Sequence, residues 1–135
     1  MRSINAIYIH HSASPKSTTV EQINQWHLDR GWAGIGYHFV INGDTGKIEE
    51  GRDIKKNGAH TRGYNRNSIG ICVTGNYENE MISKPAWESL HLLCSSLCDS
   101  YDISSSEIHA HRDFGKTACP GKNLYAMLPE LRRKI

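Results

Sequence analysis

The sequence predicts an α/β fold, with a single domain in which a central mixed β-sheet is flanked by about three helices. Apolar runs of strand length alternate with segments whose apolar residues recur at helical spacing, and no linker, repeat or low-complexity segment interrupts them. The chain also has 135 residues, 38% of them hydrophobic, which is enough to bury one core. We therefore expect residues 1–135 to form one domain.

The N-terminal segments predict a buried strand followed by a helix. The apolar run from Ala6 to His10 is typical of a buried strand. Thr18 and Glu21 have the spacing of a capping box, which would begin the first helix. Apolar residues then recur at helical spacing until Gly31, which suits the end of a helix because glycine readily adopts the left-handed conformation.

The middle of the chain predicts a hairpin, a central strand and a long helix. Residues 36–42 and 47–51 flank a loop rich in turn-forming residues, as in a β-hairpin. Residues 68–74 are apolar enough for a central strand. Ser83 and Pro85 suit the first turn of a long helix. Its apolar face is formed by Leu90, Leu93, Cys94, Leu97 and Tyr101.

The C-terminal part predicts one more strand or loop and a last helix. Residues 103–109 approach a pair of histidines as a short strand or a loop. An amphipathic helix follows, and we expect Pro129 to kink or restart it because proline removes a backbone hydrogen bond. The apolar positions of this helix are Leu124, Met127, Leu128 and Leu131.

Charge and composition bear on partners and location. The net charge is +2 and the basic residues are scattered, with no run of five or six, so we expect no nucleic-acid partner. No apolar stretch reaches transmembrane length, so we expect no membrane insertion. Residues 1–5 lead into the first predicted strand without an apolar signal segment, so we expect synthesis in the cytoplasm without a signal peptide.

The four cysteines are expected to be reduced. Cys94 and Cys98 would lie one helical turn apart, where side chains are neighbours but too far separated for good disulfide geometry. Reduced cysteines would leave one free to act as a metal ligand.

Two histidine-bearing segments and one cysteine predict a zinc site. His109 and His111 precede Cys119 within eleven residues, and His10 and His11 lie where the first predicted strand ends. Imidazole and thiolate are preferred zinc ligands, and three protein ligands with a fourth position left to water are typical of a catalytic zinc. The C-x-x-C pairs common in structural zinc sites do not occur in this sequence.

The residues alone leave the choice of ligands open. His10 and His11 are adjacent in a strand, so their side chains point to opposite faces and only one can easily serve the site. His109 and His111 would face the same way if the strand continued, so a set of His10, His109 and His111 would also be chemically reasonable. Cys119 would then be a buried thiol, which is the commoner state of a lone cysteine.

Several short motifs occur in one order along the chain. They are Ile9-His10-His11-Ser12, Gly36-Tyr37-His38-Phe39, Gly51-Arg52, Gly58-Ala59-His60, Gly63-Tyr64-Asn65, Ser68-Ile69-Gly70-Ile71 and, at the end, His111 with Thr117-Ala118-Cys119-Pro120. In this order they resemble the zinc-dependent N-acetylmuramoyl-L-alanine amidases of the amidase-2 and peptidoglycan recognition protein superfamily, most closely the small phage endolysins. The resemblance runs from about residue 7 to residue 128.

The resemblance implies a single amidase catalytic domain with one zinc ion. In the family, the positions that match His10, His111 and Cys119 hold the metal. The reaction implied is hydrolysis of the amide between N-acetylmuramic acid and L-alanine of the peptidoglycan stem peptide, as in endolysins that degrade the cell wall after holin-type release. Tyr37 would then lie beside the zinc-bound water, where its phenol can stabilise the oxyanion.

Thr117 and Lys116 are further catalytic candidates. Two residues before the zinc cysteine, some phage enzymes carry a catalytic lysine, and peptidoglycan recognition proteins carry a threonine. This chain has Thr117 there and Lys116 one residue earlier. Either Thr117 forms the hydrogen bond, which we favour, or Lys116 acts from the shifted position. Cys72 stands where some branches carry an acidic residue, which argues against a carboxylate base at that position.

The resemblance also implies that the polar loop of residues 58–67 lines a peptide-binding groove. Arginine and asparagine suit a stem peptide that bears carboxylates and amides. Alternatively, each residue of this loop is simply exposed to solvent on the surface. For Trp32, which follows the first helix, the alternative is a position in the core. The candidate substrate-binding residues are His38, His60, Tyr64, Asn65, Arg66 and Trp32.

Two other functions occur among proteins that this chain resembles. Some are non-catalytic modules that bind peptidoglycan without zinc, typically after loss of the cysteine ligand, whereas this chain keeps Cys119. Some phage relatives also bind and inhibit a viral RNA polymerase through a surface outside the active site. We expect a monomer whose main partner is peptidoglycan.

Overall fold

The structure is a computed structural model that describes residues 2–135, and a five-stranded sheet forms its centre. The strands are β1 (Ala6–His11), β2 (Phe39–Ile41), β3 (Ile48–Glu50), β4 (Ser68–Val73) and β5 (Ile108–Ala110). Their order in the sheet is β3-β2-β4-β1-β5. β3 runs antiparallel to β2 and the other neighbours are parallel, which confirms the mixed sheet and the predicted hairpin.

Three α-helices accompany the sheet within residues 2–135, as predicted. They are α1 (Val20–Asp29), α2 (Lys84–Tyr101) and α3 (Lys122–Lys134). Short 3-10 turns occur at Asn65–Asn67, Ser105–Glu107 and His111–Asp113. No helix in this part of the chain is both long and apolar enough to cross a bilayer.

The main core lies on the side of the sheet that faces α2 and α3. Strand residues Ile9 and Ile71 are fully buried there together with Leu90 of α2 and Leu128 of α3. Burying each such side chain contributes about 1.5–3 kcal/mol, so this face supplies most of the hydrophobic stabilisation.

A smaller cluster occupies the opposite face. Ile23 of α1 packs there with Ile35, Val40 and Cys72. β1 and β4 pair with His10 opposite Cys72, so both side chains belong to this second face. The polar residues discussed below are therefore grouped on one side of the sheet.

The capping box lies one residue later than predicted. The side chains of Thr19 and Gln22 each accept a hydrogen bond from the other's backbone N–H, at 3.1 and 2.8 Å. Thr18 lies one residue before this N-cap, and its buried hydroxyl donates to the Pro15 carbonyl at 2.7 Å instead of accepting from the helix. Gly31 follows the last helical turn with a φ of +85°, as predicted.

Two details of the other helices differ from expectation. α3 runs without interruption from Lys122 to Lys134, so Pro129 does not restart it, and Leu128 and Leu131 remain buried in the core. In α2 the buried face ends with Cys98, and Tyr101 is exposed. All four cysteines are free and buried, as expected.

Candidate metal centre

The candidate metal centre lies at the carboxyl ends of two neighbouring strands. His10 is near the end of β1, and His111 begins the turn directly after β5. Cys119 follows in the loop that leads to α3. Parallel strands end at the same edge of a sheet, which is where ligands commonly bind, so side chains far apart in sequence meet here.

The geometry suits a zinc ion. The ligand atoms of His10, His111 and Cys119 all lie within 4.8 Å of one another. The Cys119 Sγ is 3.6 Å from the His10 Nδ1. In a tetrahedral zinc site, bonds of about 2.0–2.3 Å place neighbouring ligand atoms roughly 3.3–3.8 Å apart. Two imidazoles and one thiol therefore fit a zinc ion in donor type, and the distance between the His10 and Cys119 ligand atoms lies within the range of a tetrahedral site.

Burial sets the protonation of the three side chains. It lowers the pKa of His10, with further lowering by the nearby histidines 60, 111 and 11, and it also lowers the pKa of His111. The same effect raises the pKa of the Cys119 thiol to about 12. Neutral imidazoles offer lone pairs to a cation, and a bound cation would stabilise the thiolate in place of the thiol.

The loop that carries Cys119 is held by backbone hydrogen bonds. The Arg112 N–H donates to the Cys119 carbonyl at 2.8 Å, and the Cys119 N–H donates to the Thr117 hydroxyl at 3.2 Å. The His11 N–H donates to the Cys119 Sγ at 3.3 Å. The thiol is therefore held in place by its own loop and by β1.

Asp113 ties the same loop to α3 and to β5. Its Oδ1 accepts from the Tyr125 hydroxyl at 2.8 Å, and its Oδ2 accepts from the Ala110 N–H at 3.1 Å. The Arg112 guanidinium stacks 4.3 Å from the centre of the Tyr125 ring. Asp113 therefore holds the backbone on either side of His111.

Tyr37 lies beside the candidate ligands. Its ring centre is 5.0 Å from that of His10. Burial raises the pKa of Tyr37 well above its usual value, and the nearby thiols of Cys72 and Cys119 add to the effect. At neutral pH this hydroxyl therefore keeps its proton and can act as a donor.

A cavity of about 400 Å³ adjoins His111. Its volume lies within the range of small-molecule sites. A larger cavity of about 540 Å³ lies at the far end of α2, away from the three ligand residues. The cavity beside the site is lined by Trp32, Ala59, His60, Thr61, Arg62, Gly63, Asn65 and His111.

Comparison with known proteins gives one consistent result. Residues 1–122 match the family model described as N-acetylmuramoyl-L-alanine amidase. The chain belongs to this amidase family. It is 38% identical over 126 residues to an endolysin of Enterobacteria phage T3, covering 88% of this chain and 82% of the endolysin.

Two further similarities link the amidase domain to a solved enzyme and to an animal protein. The structure of the N-acetylmuramoyl-L-alanine amidase LysC from Clostridium intestinale URNW has a TM-score of 0.91 and 34% identity, covering 98% of this chain and 85% of LysC. Peptidoglycan-recognition protein SC2 of Drosophila melanogaster is 38% identical over 126 residues, covering 87% of this chain and 68% of that protein.

The amidase fold places His11 and His109, the two alternative ligand candidates, away from the cluster of His10, His111 and Cys119. His11 points to the opposite face of the sheet, where its Nδ1 accepts from the Tyr77 N–H at 3.1 Å. β5 ends at Ala110, and His109 lies 2.9 Å from Glu107 instead of joining the cluster. The strand therefore does not continue far enough to place His109 and His111 side by side.

The interior position of His38 corrects the expectation that it contacts substrate. The residue is 1% exposed. Its Nδ1 accepts from the Gly70 N–H at 3.0 Å, and its Nε2 donates to the Lys56 carbonyl at 2.8 Å. Both ring nitrogens are therefore used within the fold, and His38 joins the neighbouring strand to the loop before residue 58.

The other candidate substrate residues divide between two cavities. Trp32, His60 and Asn65 line the cavity beside His111. Tyr64 and Arg66 line a smaller cavity of about 200 Å³. Within the loop, the Asn65 Oδ1 accepts from two backbone N–H groups, which leaves its amino group for a ligand.

The individual candidates named from the sequence do not include Thr61, Arg62 or Ser68, although the first two belong to the loop expected to line the groove. Thr61 and Arg62 line the larger of the two cavities, and Ser68 contacts the His60 ring. Their location within or next to the polar loop was the available indication. Lys116 and Thr117 lie exposed on the loop before Cys119.

Proposed function

We propose that this protein is a zinc-dependent N-acetylmuramoyl-L-alanine amidase that cleaves the amide bond between N-acetylmuramic acid and L-alanine in peptidoglycan. The observation that carries the proposal is the convergence of His10, His111 and Cys119 at the edge of a cavity. Family membership supports the reaction, and the similarity to a phage endolysin supports a role in degrading the cell wall.

The chain's own residues have distinct tasks in this reaction. A bound zinc ion would polarise the scissile carbonyl and lower the pKa of a water molecule to about 7. Tyr37 would donate a hydrogen bond to the oxyanion that forms as the amide is attacked. Burial raises the pKa of Tyr37, so the phenol is protonated at neutral pH and can donate this bond.

Thr117 would assist from the loop. Its hydroxyl oxygen accepts from the Cys119 N–H, which leaves the hydroxyl proton free to donate to substrate. Lys116 is the alternative, because its exposed ammonium lies one residue earlier on the same loop. We assign the contact to Thr117.

The stem peptide would occupy the cavity beside His111. Trp32 provides a flat apolar wall and Asn65 an amino donor, while Arg62 can bind a carboxylate. Tyr64 and Arg66 would contact a part of the substrate that extends towards the smaller cavity. The buried His60 forms part of the cavity wall, and its ring nitrogens bind other residues of the protein.

The test combines metal analysis with product analysis. Purified protein should contain one zinc per chain, and digestion of peptidoglycan should release free N-terminal L-alanine without new reducing sugar ends. Removal of the metal by a chelator should abolish the release of alanine, and added zinc should restore it. New reducing ends would instead indicate glycosidic cleavage, and binding without products would indicate a recognition module.

Two expectations stay predictions, a monomeric state and release to the cell wall by a holin-type route. Binding to a phage RNA polymerase stays an alternative function. Size measurement, lysis with and without a holin, and transcription in the presence of the protein would test them.

A further inference from the structure

The ring of His60 lies against the candidate ligand His10 in the protein interior. The His60 Nδ1 is 3.0 Å from the His10 Nε2, and the planes of the two rings are 84° apart. His60 is 7% exposed and His10 is 1% exposed. Between two ring nitrogens at this distance, one must donate a proton and the other must accept it.

The contact on the other side of the His60 ring decides which of the two nitrogens donates the proton. Ser68 donates its only hydroxyl proton to the Tyr64 carbonyl at 2.7 Å, so at 3.2 Å from the His60 Nε2 it acts as the acceptor. The proton of the neutral His60 ring is therefore on Nε2, and its Nδ1 has a lone pair. It follows that the His10 Nε2 is the donor.

A threonine next to the histidine pair is consistent with this direction. The Thr61 hydroxyl lies 3.1 Å from the His60 Nδ1 and 3.4 Å from the His10 Nε2. The hydroxyl can donate to the His60 Nδ1 and accept from the His10 Nε2. The proton is therefore on the His10 Nε2 whether that atom donates to His60 or to Thr61. The His10 Nδ1 is then unprotonated, and this is the atom that faces the Cys119 Sγ.

Two glycines make room for the His60 ring. A Cβ atom at Gly70 would lie 2.5 Å from the His60 Cγ and Cδ2, and a Cβ atom at Gly58 would lie 2.5 Å from the Cδ2. Either contact is too short for a side chain. The imidazole thus occupies a slot that exists only because both neighbours lack a Cβ, and this slot sets the distance to His10.

We infer that His60, held by Ser68, is a positioning residue that keeps His10 in the tautomer whose Nδ1 lone pair points to the metal position. The inference rests on the proposed function for the identity of the metal. Partners of this kind fix the ring orientation of a ligating histidine, and their loss typically weakens metal binding by about 10–100-fold. This role explains why the ring is buried beneath the site.

The first test measures zinc affinity by competition with a chromophoric chelator, independently of activity. His60→Leu removes the acceptor and should weaken zinc binding by about 10–100-fold. His60→Asn keeps an oxygen acceptor near the position of Nδ1 and should recover most of the affinity. Ser68→Ala should cause a smaller loss of zinc affinity, because His60 keeps its contact with His10 and loses only the acceptor that fixes its proton on Nε2.

The matched control is His27→Leu, which also removes a buried imidazole. His27 accepts from the Gly36 N–H, and its ring packs against those of Trp32 and Tyr37. Its loss should leave zinc affinity unchanged. Unchanged affinity in His60→Leu would overturn the inference while leaving the proposed function intact, whereas a wild-type protein that binds no zinc would overturn both.

A second test uses nitrogen NMR of the histidine rings in the zinc-loaded wild-type protein, so it does not depend on whether a variant folds. The expected spectrum shows a proton on Nε2 of both His10 and His60, with the His10 Nδ1 bound to the metal. Binding of zinc through the His10 Nε2 would contradict the inference.

Discussion

The two faces of the central sheet are both buried, but by different chemistry. Towards α2 and α3, the strands β1 and β4 present the aliphatic side chains of Ile7, Ile9, Ile69, Ile71 and Val73. On the opposite face the same two strands present Tyr8, His10, Ser68 and Cys72. One face therefore stabilises the fold by excluding water, and the other groups ionisable side chains in a site with little water.

This difference shows where the molecule depends on its hydrogen bonds. Burying a polar group is unfavourable unless it finds a partner. Within residues 2–135 every buried side-chain nitrogen and oxygen has such a partner. The polar face is thus held together by a connected set of hydrogen bonds. We expect the loss of a ligand candidate there to remove chemistry, and a substitution on the aliphatic face to change stability alone.

The sharpest test of this contrast uses two adjacent histidines that point to opposite faces. His10→Ala should lose zinc and all measurable hydrolysis, because it removes a ligand. His11→Ala should keep the metal but lower the free energy of unfolding by about 1–3 kcal/mol, because the buried Tyr77 N–H loses its acceptor. Elemental analysis and urea unfolding would measure both effects.

The opposite outcome would contradict the strand assignment. If His11→Ala lost the metal and His10→Ala kept it, the face of β1 that carries the site would be wrong. Cys94→Ala gives a control on the aliphatic face. It removes a buried thiol from α2, so it should retain zinc and activity and destabilise the protein by on the order of 1 kcal/mol.

The next largest effect is expected at Tyr37, which separates catalysis from metal binding on the same face. Tyr37→Phe removes only a hydroxyl, so the protein should fold and retain zinc. Its turnover should fall by a factor on the order of 10²–10³, as is typical when one oxyanion donor is removed. Initial rates on purified peptidoglycan, with zinc content measured on the same sample, would test this. Near-wild-type turnover would remove Tyr37 from the mechanism.

The architecture could be predicted from the sequence because periodicity is a local property. The apolar run that forms β1 and the helical spacing of apolar residues in α2 are both visible in short stretches of sequence. The capping box was misplaced by one residue because Thr18 and Thr19 have the same side chain. They differ in local geometry, because the Thr18 hydroxyl donates back to the Pro15 carbonyl while the Thr19 hydroxyl accepts from the Gln22 N–H.

The candidate site was less predictable because it depends on contacts between distant residues. Local spacing allowed His109 as readily as His111, and the difference arises where β5 ends and the backbone turns. The family resemblance, rather than the periodicity, indicated Cys119. The contact between His10 and His60 joins residues 50 positions apart, and no local pattern contains it.

A smaller effect is expected on the loop before Cys119. Thr117→Ala should lower turnover by about threefold to tenfold, equivalent to one ordinary hydrogen bond of about 1 kcal/mol. Thr117→Ser keeps the hydroxyl and is the matched control. Lys116→Ala should leave turnover close to that of the wild type. A collapse of turnover in Lys116→Ala would instead assign the catalytic contact to the shifted lysine.

The smallest effect concerns acid stability and comes from two histidines that are not ligand candidates. Burial lowers the pKa of His27 and of His38 to about 4, from an ordinary value of 6.5. Above pH 6.5, these two histidines are neutral in both the folded and the unfolded protein. Between pH 6.5 and about 4, the unfolded chain binds protons that the folded protein does not, so the free energy of unfolding falls as the pH falls.

The expected loss at pH 5 is on the order of 1 kcal/mol for each of these histidines, measured by urea unfolding of the zinc-free protein across this range. His27→Asn retains an acceptor for the Gly36 N–H but cannot titrate, so its stability should depend less steeply on pH. If the free energy of unfolding depended on pH equally steeply in the variant and the wild type, His27 would have the same pKa in the folded and the unfolded protein. The acid sensitivity of the polar face would then come from other groups, and its contrast with the aliphatic face would rest on the metal ligands and Tyr37.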